Sequence, residues 1–199
     1  PVAETGYGAV LLLDPWAREI VGAYTHEAIH HGYVLGHAQG NRERDTRDNA
    51  AQMLKARVAP PPTPAPGHDN RPRHRDEDVL LYEVHVKGFS MQHPDIPEEL
   101  RGRYGALAHP VAIAHFKALG VTTLSLLPVH YHIDEGPLSE RGATNYWGYN
   151  TLGFFAPDPR YARAPGRAAE EFRAMVDELH ANGIEVLIEE TSGLQHVEE

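Results

Sequence analysis

Pro110-Val-Ala-Ile-Ala-His-Phe-Lys-Ala-Leu-Gly-Val-Thr-Thr-Leu-Ser-Leu-Leu-Pro128 reads as a helix followed by a strand. Pro110 suits a first helical turn, where its missing N–H would have had no partner anyway. Ile113, Phe116 and Leu119 recur at helical spacing, and Gly120 is the stop signal. Val121 to Leu127 is then mostly apolar and β-branched, ends at Pro128, and reads as a buried strand.

The same grammar continues on either side. Upstream, Val79-Leu-Leu-Tyr-Glu-Val-His-Val86 predicts another buried strand. Downstream, residues 171–181 carry Phe172, Met175, Val176 and Leu179 at i, i+3, i+4 and i+7, one apolar helix face, with Gly183 as the stop. Ile184-Glu-Val-Leu-Ile188 is a third strand. Strand, helix, strand, helix, strand is the order of a parallel α/β sheet. Such sheets bury both faces, which accounts for the nearly continuous apolar character of the strands. Their ligands sit at the carboxyl ends of the strands.

After the second strand, residues 130–163 predict a long loop, a kind that is usually functional or disordered. It carries Asn145-Tyr-Trp-Gly-Tyr-Asn150. Two readings fit this stretch. It is an aromatic turn capping a core, since Tyr and Trp are usually well buried. Or it grips a sugar, whose C–H faces lie on aromatic rings and whose hydroxyls need partners. Its place after a parallel strand favours the second. Asn145 and Asn150 read as amides that fix the loop. His85 and Lys87, just past the first strand, could face the same mouth, although packing is the simpler role.

Residues 9–13 predict a short strand ended by Asp14-Pro15, and residues 22–49 a long surface connection punctuated by Gly32, Gly36 and Gly40. Asp45-Thr-Arg-Asp-Asn-Ala50 offers side-chain acceptors to its own backbone, as a fixed loop would. Residues 55–58 predict a short strand. Pro60-Pro-Pro-Thr-Pro-Ala-Pro66 and the charged run to Asp78 form a linker, mobile or extended.

The 199 residues suffice for one sizeable domain or pieces of two. No apolar run approaches the roughly 18 residues of a membrane span. The start, Pro1-Val-Ala-Glu4, lacks a leader pattern and an initiator Met, as expected of a chain that begins inside a longer protein. With no cysteine there is no disulfide, thiolate metal site or Cys nucleophile, which agrees with a reducing cytosol. A net charge of −10 argues against binding a nucleic-acid backbone and leaves a neutral polyol or a protein as partner.

His26-Glu27-Ala28-Ile29-His30 matches H-E-x-x-H and would make a zinc hydrolase if it were helical, with Glu27 as base. Gly32 and Gly36 would break that helix, and no third ligand falls at the right spacing. No metal and no cofactor are therefore expected. The paired glutamates (98–99, 170–171, 189–190, 198–199) read as solvated or helix-start charges.

Val79-Leu-Leu-Tyr-Glu-Val-His-Val-Lys-Gly-Phe89, Pro94-Asp-Ile-Pro97, Arg101-Gly-Arg-Tyr-Gly105, Leu124-Ser-Leu-Leu-Pro-Val129 and Asn145-Tyr-Trp-Gly-Tyr-Asn-Thr-Leu152 together resemble the bacterial glycogen debranching enzymes. More broadly they are similar to the isoamylase-type branch of the α-amylase superfamily, glycoside hydrolase family 13. Leu12-Leu-Asp-Pro-Trp-Ala-Arg18 and Arg47-Asp-Asn-Ala50 match the segment that in this family leads from an N-terminal carbohydrate-binding β-sandwich into the barrel.

The resemblance implies an α/β fold: an incomplete (β/α)8 TIM barrel of about three strands over residues 79–199. Before it would come the end of the β-sandwich (1–59) and a linker (60–78). It implies hydrolysis of α-1,6 branch linkages in glycogen or amylopectin-like glucans by two carboxylates, a nucleophile and an acid/base. Those lie on later strands of the family's barrel, so the chain alone is expected to be inactive. By the same resemblance Tyr149 stacks on the sugar at the cleavage point, with Trp147 and Tyr146 shaping the loop, and the protein is cytoplasmic. A non-catalytic glucan-binding fragment is the alternative. From about residue 190 the pattern departs: Glu189, Gly193 and Leu194 stand where the family shows Asp, Asn and His.

Overall fold

The computed structural model describes residues 11–59, 70–164 and 166–189. Its centre is a parallel sheet of three strands, Leu81–Val84 (β3), Thr123–Leu126 (β4) and Glu185–Ile188 (β7), with β4 in the middle. Leu81 pairs with Thr123 and Thr123 with Glu185; Val84 pairs with Leu126 and Leu126 with Ile188. Two helices make the crossovers: Pro110–Ala118 (α3) and Ala168–Ala181 (α5).

Alternate strand residues point to opposite faces. Tyr82, Val84, Leu124, Leu126 and Val186 face the helices and pack with Phe116, Met175, Leu179 and Ile184. Phe116, Leu124, Leu126, Leu179 and Ile184 have no solvent exposure. Each such side chain contributes about 1.5–3 kcal/mol of burial free energy. The expectation of a sheet buried on both faces holds only for β4. On the other face Leu81 and Leu187 remain 51% and 49% exposed, because no described residue covers them. Leu119, placed on the apolar face of α3 by spacing, is also half exposed, because it is the C-cap where the helix has already ended.

The first predicted strand is shorter than its apolar run. His85 caps the short helix Val86–Ser90 (α1), so Val86 belongs to a helix. A further turn of helix, Tyr104–Leu107 (α2), buries Tyr104, whose hydroxyl donates to the Asp158 carbonyl at 2.9 Å. Residues 130–163 are more ordered than a loop. His130–His132 (β5) pairs antiparallel with Thr151–Pro157 (β6), and Gly136–Glu140 (α4) lies between them. The irregular register of that hairpin, shifted on both sides of Tyr131, hides it from a period-of-two reading.

Near the N-terminus, Ile20–Val21 (β1) pairs antiparallel with Lys55–Ala56 (β2). Ala17, Ile20 and Leu54 pack with Tyr131 and Ala156 of the hairpin. Leu11–Leu13 is not a strand. The buried Asn49 amide replaces the ladder: Leu11 N–H donates to Asn49 Oδ1 at 2.6 Å and Asn49 Nδ2 donates back to Leu11 O at 3.3 Å. The proline-rich 60–66 run and the divergent tail from residue 190 lie outside the described residues. Within residues 70–78, His74 makes contact with the chain entering the third parallel strand. His74 lies 2.9 Å from the Gly183 carbonyl through Nε2, and its N–H donates to Glu185 Oε1 at 3.3 Å.

Candidate functional site

His85 ends the first strand and organises what lies above it. Its Nδ1 accepts the Gly88 N–H at 2.9 Å, the capping bond of α1. Its other nitrogen, Nε2, therefore carries the proton and donates to the Tyr146 carbonyl at 2.6 Å. The imidazole ring stacks on the Tyr146 ring, centroids 4.2 Å apart and planes 4° from parallel. Trp147 sets its edge against both rings. Burial, the largest influence, holds His85 below the ordinary imidazole value, although the Tyr146 carbonyl pulls the other way.

The loop above is fixed from within. Asn145 Oδ1 accepts the Gly148 N–H at 2.9 Å, its Nδ2 donates to Glu135 Oε1 at 2.8 Å, and its N–H donates to Asp134 Oδ1 at 2.7 Å. Gly148 has φ +84°, and a Cβ there would lie 3.1 Å from the Pro128 carbonyl oxygen, so only glycine fits. Gly88 is small for a different reason: a Cβ would collide with the Tyr146 hydroxyl.

Tyr149 is anchored separately. Its hydroxyl donates to Glu189 Oε2 at 3.0 Å, and the other Glu189 oxygen accepts from Ser125 Oγ at 2.8 Å. Glu189 follows β7 directly and its N–H continues the ladder to Leu126 O at 2.8 Å. Glu189 is thus a half-buried structural acceptor, not the solvated charge its pairing with Glu190 suggests. Burial first, and then the Glu189 carboxylate, push the Tyr149 phenol up to about 12. Tyr146, Trp147 and Tyr149 are 43%, 56% and 37% exposed. The structure therefore brings Tyr146 and Trp147 together on His85, and ties Tyr149 to the ends of two parallel strands. One face of Tyr146 is used by His85, whereas Trp147 and Tyr149 offer open ring surface.

A buried network under the loop is not legible in the sequence. His132 and Asp158 are each 1% exposed, with His132 Nδ1 2.9 Å from Asp158 Oδ2. Arg160 reaches His132 Nε2 at 3.2 Å and donates to Asp134 Oδ1 at 2.8 Å. Both neighbours of His132 Nδ1 are acceptors, Asp158 and the His130 carbonyl, so Nδ1 carries hydrogen and Nε2 accepts from Arg160. Glu171 is occupied in accepting the Arg163 and Ala164 N–H groups, and Glu170 pairs with Arg167, so neither is poised for acid/base work.

The zinc pattern is not on an α-helix. Glu27 is extended, and only Ala28–His30 form a short 3-10 turn. His26 faces the Asp134 carbonyl at 2.7 Å, and His30 faces Met53 Sδ and Thr25 Oγ1. Among the described residues no group of three His, Asp or Glu side chains could hold a metal. No described helix is long and apolar enough to cross a membrane.

No family model matches the chain. The fold is similar to the catalytic module of the glycogen-degrading pneumococcal virulence factor SpuA (TM-score 0.61, 20% identity, 90% of this chain and 25% of that one). It is also similar to the pullulanase from Bacillus acidopullulyticus (TM-score 0.56, 22% identity, 88% of this chain and 20% of that one). These likenesses place the chain in the mixed α/β fold class of the pullulanases. In sequence it is 46% identical over 181 residues to a glycogen debranching enzyme of Klebsiella pneumoniae and 44% identical over 186 residues to that of Salmonella typhi. Each match takes in 91% of this chain. In sequence the chain is thus similar to the glycogen debranching enzymes, and it spans about a quarter (26%) of the length of the curated relatives it matches.

Proposed function

We propose that the chain supplies one wall of the active site of an α-1,6-branch glycoside hydrolase acting on glycogen or amylopectin-like glucan. In this reading β3, β4 and β7 are the first three strands of a (β/α)8 barrel spanning residues 79–199. Residues 1–59 are the end of a carbohydrate-binding β-sandwich and 60–78 the linker. Tyr149 stacks on the glucose at the cleavage point, and Trp147 and Tyr146 shape the subsite beside it. The protein is cytoplasmic, as a consumer of stored glucan would be.

The observation that carries this reading is the fixing of the aromatic loop at the carboxyl ends of parallel strands. Tyr149 is bound to Glu189, which follows β7 directly, and Tyr146 to His85, which follows β3. Ligands of parallel α/β sheets sit at those ends. Retaining hydrolysis needs a nucleophile and an acid/base at about 5–5.5 Å separation. Glu189, the carboxylate bound to Tyr149, is occupied by Tyr149 and Ser125. In this reading the cleaving carboxylates stand on the later barrel strands, as the resemblance implies.

Affinity electrophoresis in glycogen tests the binding part. The chain should be retarded, less so with Tyr149→Phe and least with Trp147→Ala; an unretarded wild-type chain would refute it. Reducing-end release from amylopectin tests the rest. Turnover by these 199 residues alone would show that the essential carboxylates are already present.

A further inference from the structure

Beside the aromatic loop lies a cleft of about 250 Å³. Lys87, Arg101, Arg103 and Arg160 line it, with Thr144 and Tyr146, and no carboxylate does. Four cationic side chains converge there in a chain whose net charge is −10. Arg160 is compensated by Asp134 at 2.8 Å. The others are not, among the described residues. Arg101 spends donors on the Ile96 and Pro94 carbonyls at 2.9 and 3.2 Å, and Arg103 on the Arg160 carbonyl at 2.5 Å. Carbonyls hold a guanidinium in place without neutralising it, so these two keep their positive charge beside the cleft.

We propose that this cleft binds a phosphomonoester. The phosphoryl group is carried either by a free sugar phosphate or by the glucan itself. Two fixed guanidiniums and one exposed ammonium match the several acceptor oxygens of a phosphoryl dianion better than a single carboxylate. At roughly 30 Å³ per water, the volume holds about eight waters, more than one tetrahedral anion displaces. That leaves room for an attached sugar against Tyr146. The acidity of the remaining surface repels polyanions while the local field admits a small one. The glucan-borne form rests on the glucan contact proposed above; the phosphoryl site does not.

Isothermal titration of the chain with inorganic phosphate, glucose 6-phosphate, a 6-phosphorylated maltooligosaccharide, the plain maltooligosaccharide and glucose tests the proposal. The phosphorylated probes should bind and glucose should not. Lys87→Gln and Arg103→Gln should each weaken binding about tenfold, the scale of one charge-assisted hydrogen bond. Lys87 is exposed, so its variant should keep the wild-type melting curve and remains decisive even where Arg103→Gln loses stability. Absence of binding by both inorganic phosphate and glucose 6-phosphate, or affinity unchanged in both variants, overturns the site. Tighter binding of the phosphorylated maltooligosaccharide than of glucose 6-phosphate assigns the glucan-borne source; equal affinity assigns the free sugar phosphate. Failure of the plain maltooligosaccharide with phosphate binding intact would count against the glucan reading alone.

Discussion

The imidazole of His85 lies flat against the ring of Tyr146, 4.2 Å away, and donates to the carbonyl of the same residue at 2.6 Å. A residue at the end of a core strand thereby holds both the side chain and the backbone of an exposed aromatic loop. The third bond of His85, accepted from Gly88, starts the helix that follows.

Replacing His85 with Ala removes a helix cap and an aromatic stack together. Losing the cap costs about 1 kcal/mol, and losing the stack about 0.5–1.5 kcal/mol. Urea denaturation should show the variant less stable by about 2 kcal/mol. An unchanged midpoint would mean the contact is incidental.

Acid should weaken the fold through the same residue. The folded value of His85 lies below the ordinary imidazole value of about 6.5, chiefly through burial. Its contribution is therefore complete above that value and lost as the pH falls through the folded one. His180, also lowered by burial, acts in the same direction. Melting temperature should drop between about pH 7 and pH 5, and His85→Gln should flatten the slope. Asp45, which Arg47 holds down to about 2 mainly by a side-chain hydrogen bond, matters only in stronger acid, from 3.8 downward.

Tyr149 should ionise near 12. Glu189→Gln removes the neighbouring charge but leaves burial, the larger cause, so the value should come only part of the way back toward 10. Phenolate absorbance, read as the difference from a Tyr149→Phe chain, measures it. No movement on Glu189→Gln would break the link between loop and strand.

Gly88→Ala improves helix propensity by about 1 kcal/mol, yet it drives a methyl group into the Tyr146 hydroxyl. The expected result is a displaced loop on a fold of nearly unchanged stability. Trp147 fluorescence should shift and glycogen retardation decrease. Adding Tyr146→Phe, which removes the colliding oxygen, should restore both; failure to restore them would place the conflict elsewhere.

Phe116→Ala empties the centre of the core between α3 and the sheet. The cost should be about 3–5 kcal/mol, a large part of a typical domain's stability of about 5–15 kcal/mol. Calorimetry should find a melting transition lowered by many degrees or lost.

Much of the fold was legible because its signals are local. Pro110, Gly120 and Gly183 punctuate α3, β4 and β7 where expected, and Ile113, Phe116, Met175 and Leu179 mark the buried helix faces. The β5–β6 hairpin was not, since its register shifts break the alternation and its strands are joined across eighteen residues that include one short helix. Leu11–Leu13 has strand composition but finds Asn49 in place of a neighbouring strand, a partner 38 residues distant. At the site, aromatic residues announced themselves by kind. His132, Asp158 and Arg160 did not, because a buried polar network is defined by who meets whom. Glu189 read as one of a pair of surface charges, and only the fold brings Tyr149 and Ser125 to it.

One oxygen, Asp134 Oδ1, accepts both the Asn145 N–H that seats the aromatic loop and the Arg160 guanidinium that borders the cationic cleft. A ligand that draws Arg160 away from Asp134 leaves that oxygen to Asn145 alone. The proposed occupancies of cleft and loop should therefore be linked, and linkage is reciprocal: whatever factor a phosphate changes in sugar affinity, sugar should return in phosphate affinity. Asp134→Asn, which removes the shared charge while keeping the oxygen, should bring that factor toward unity.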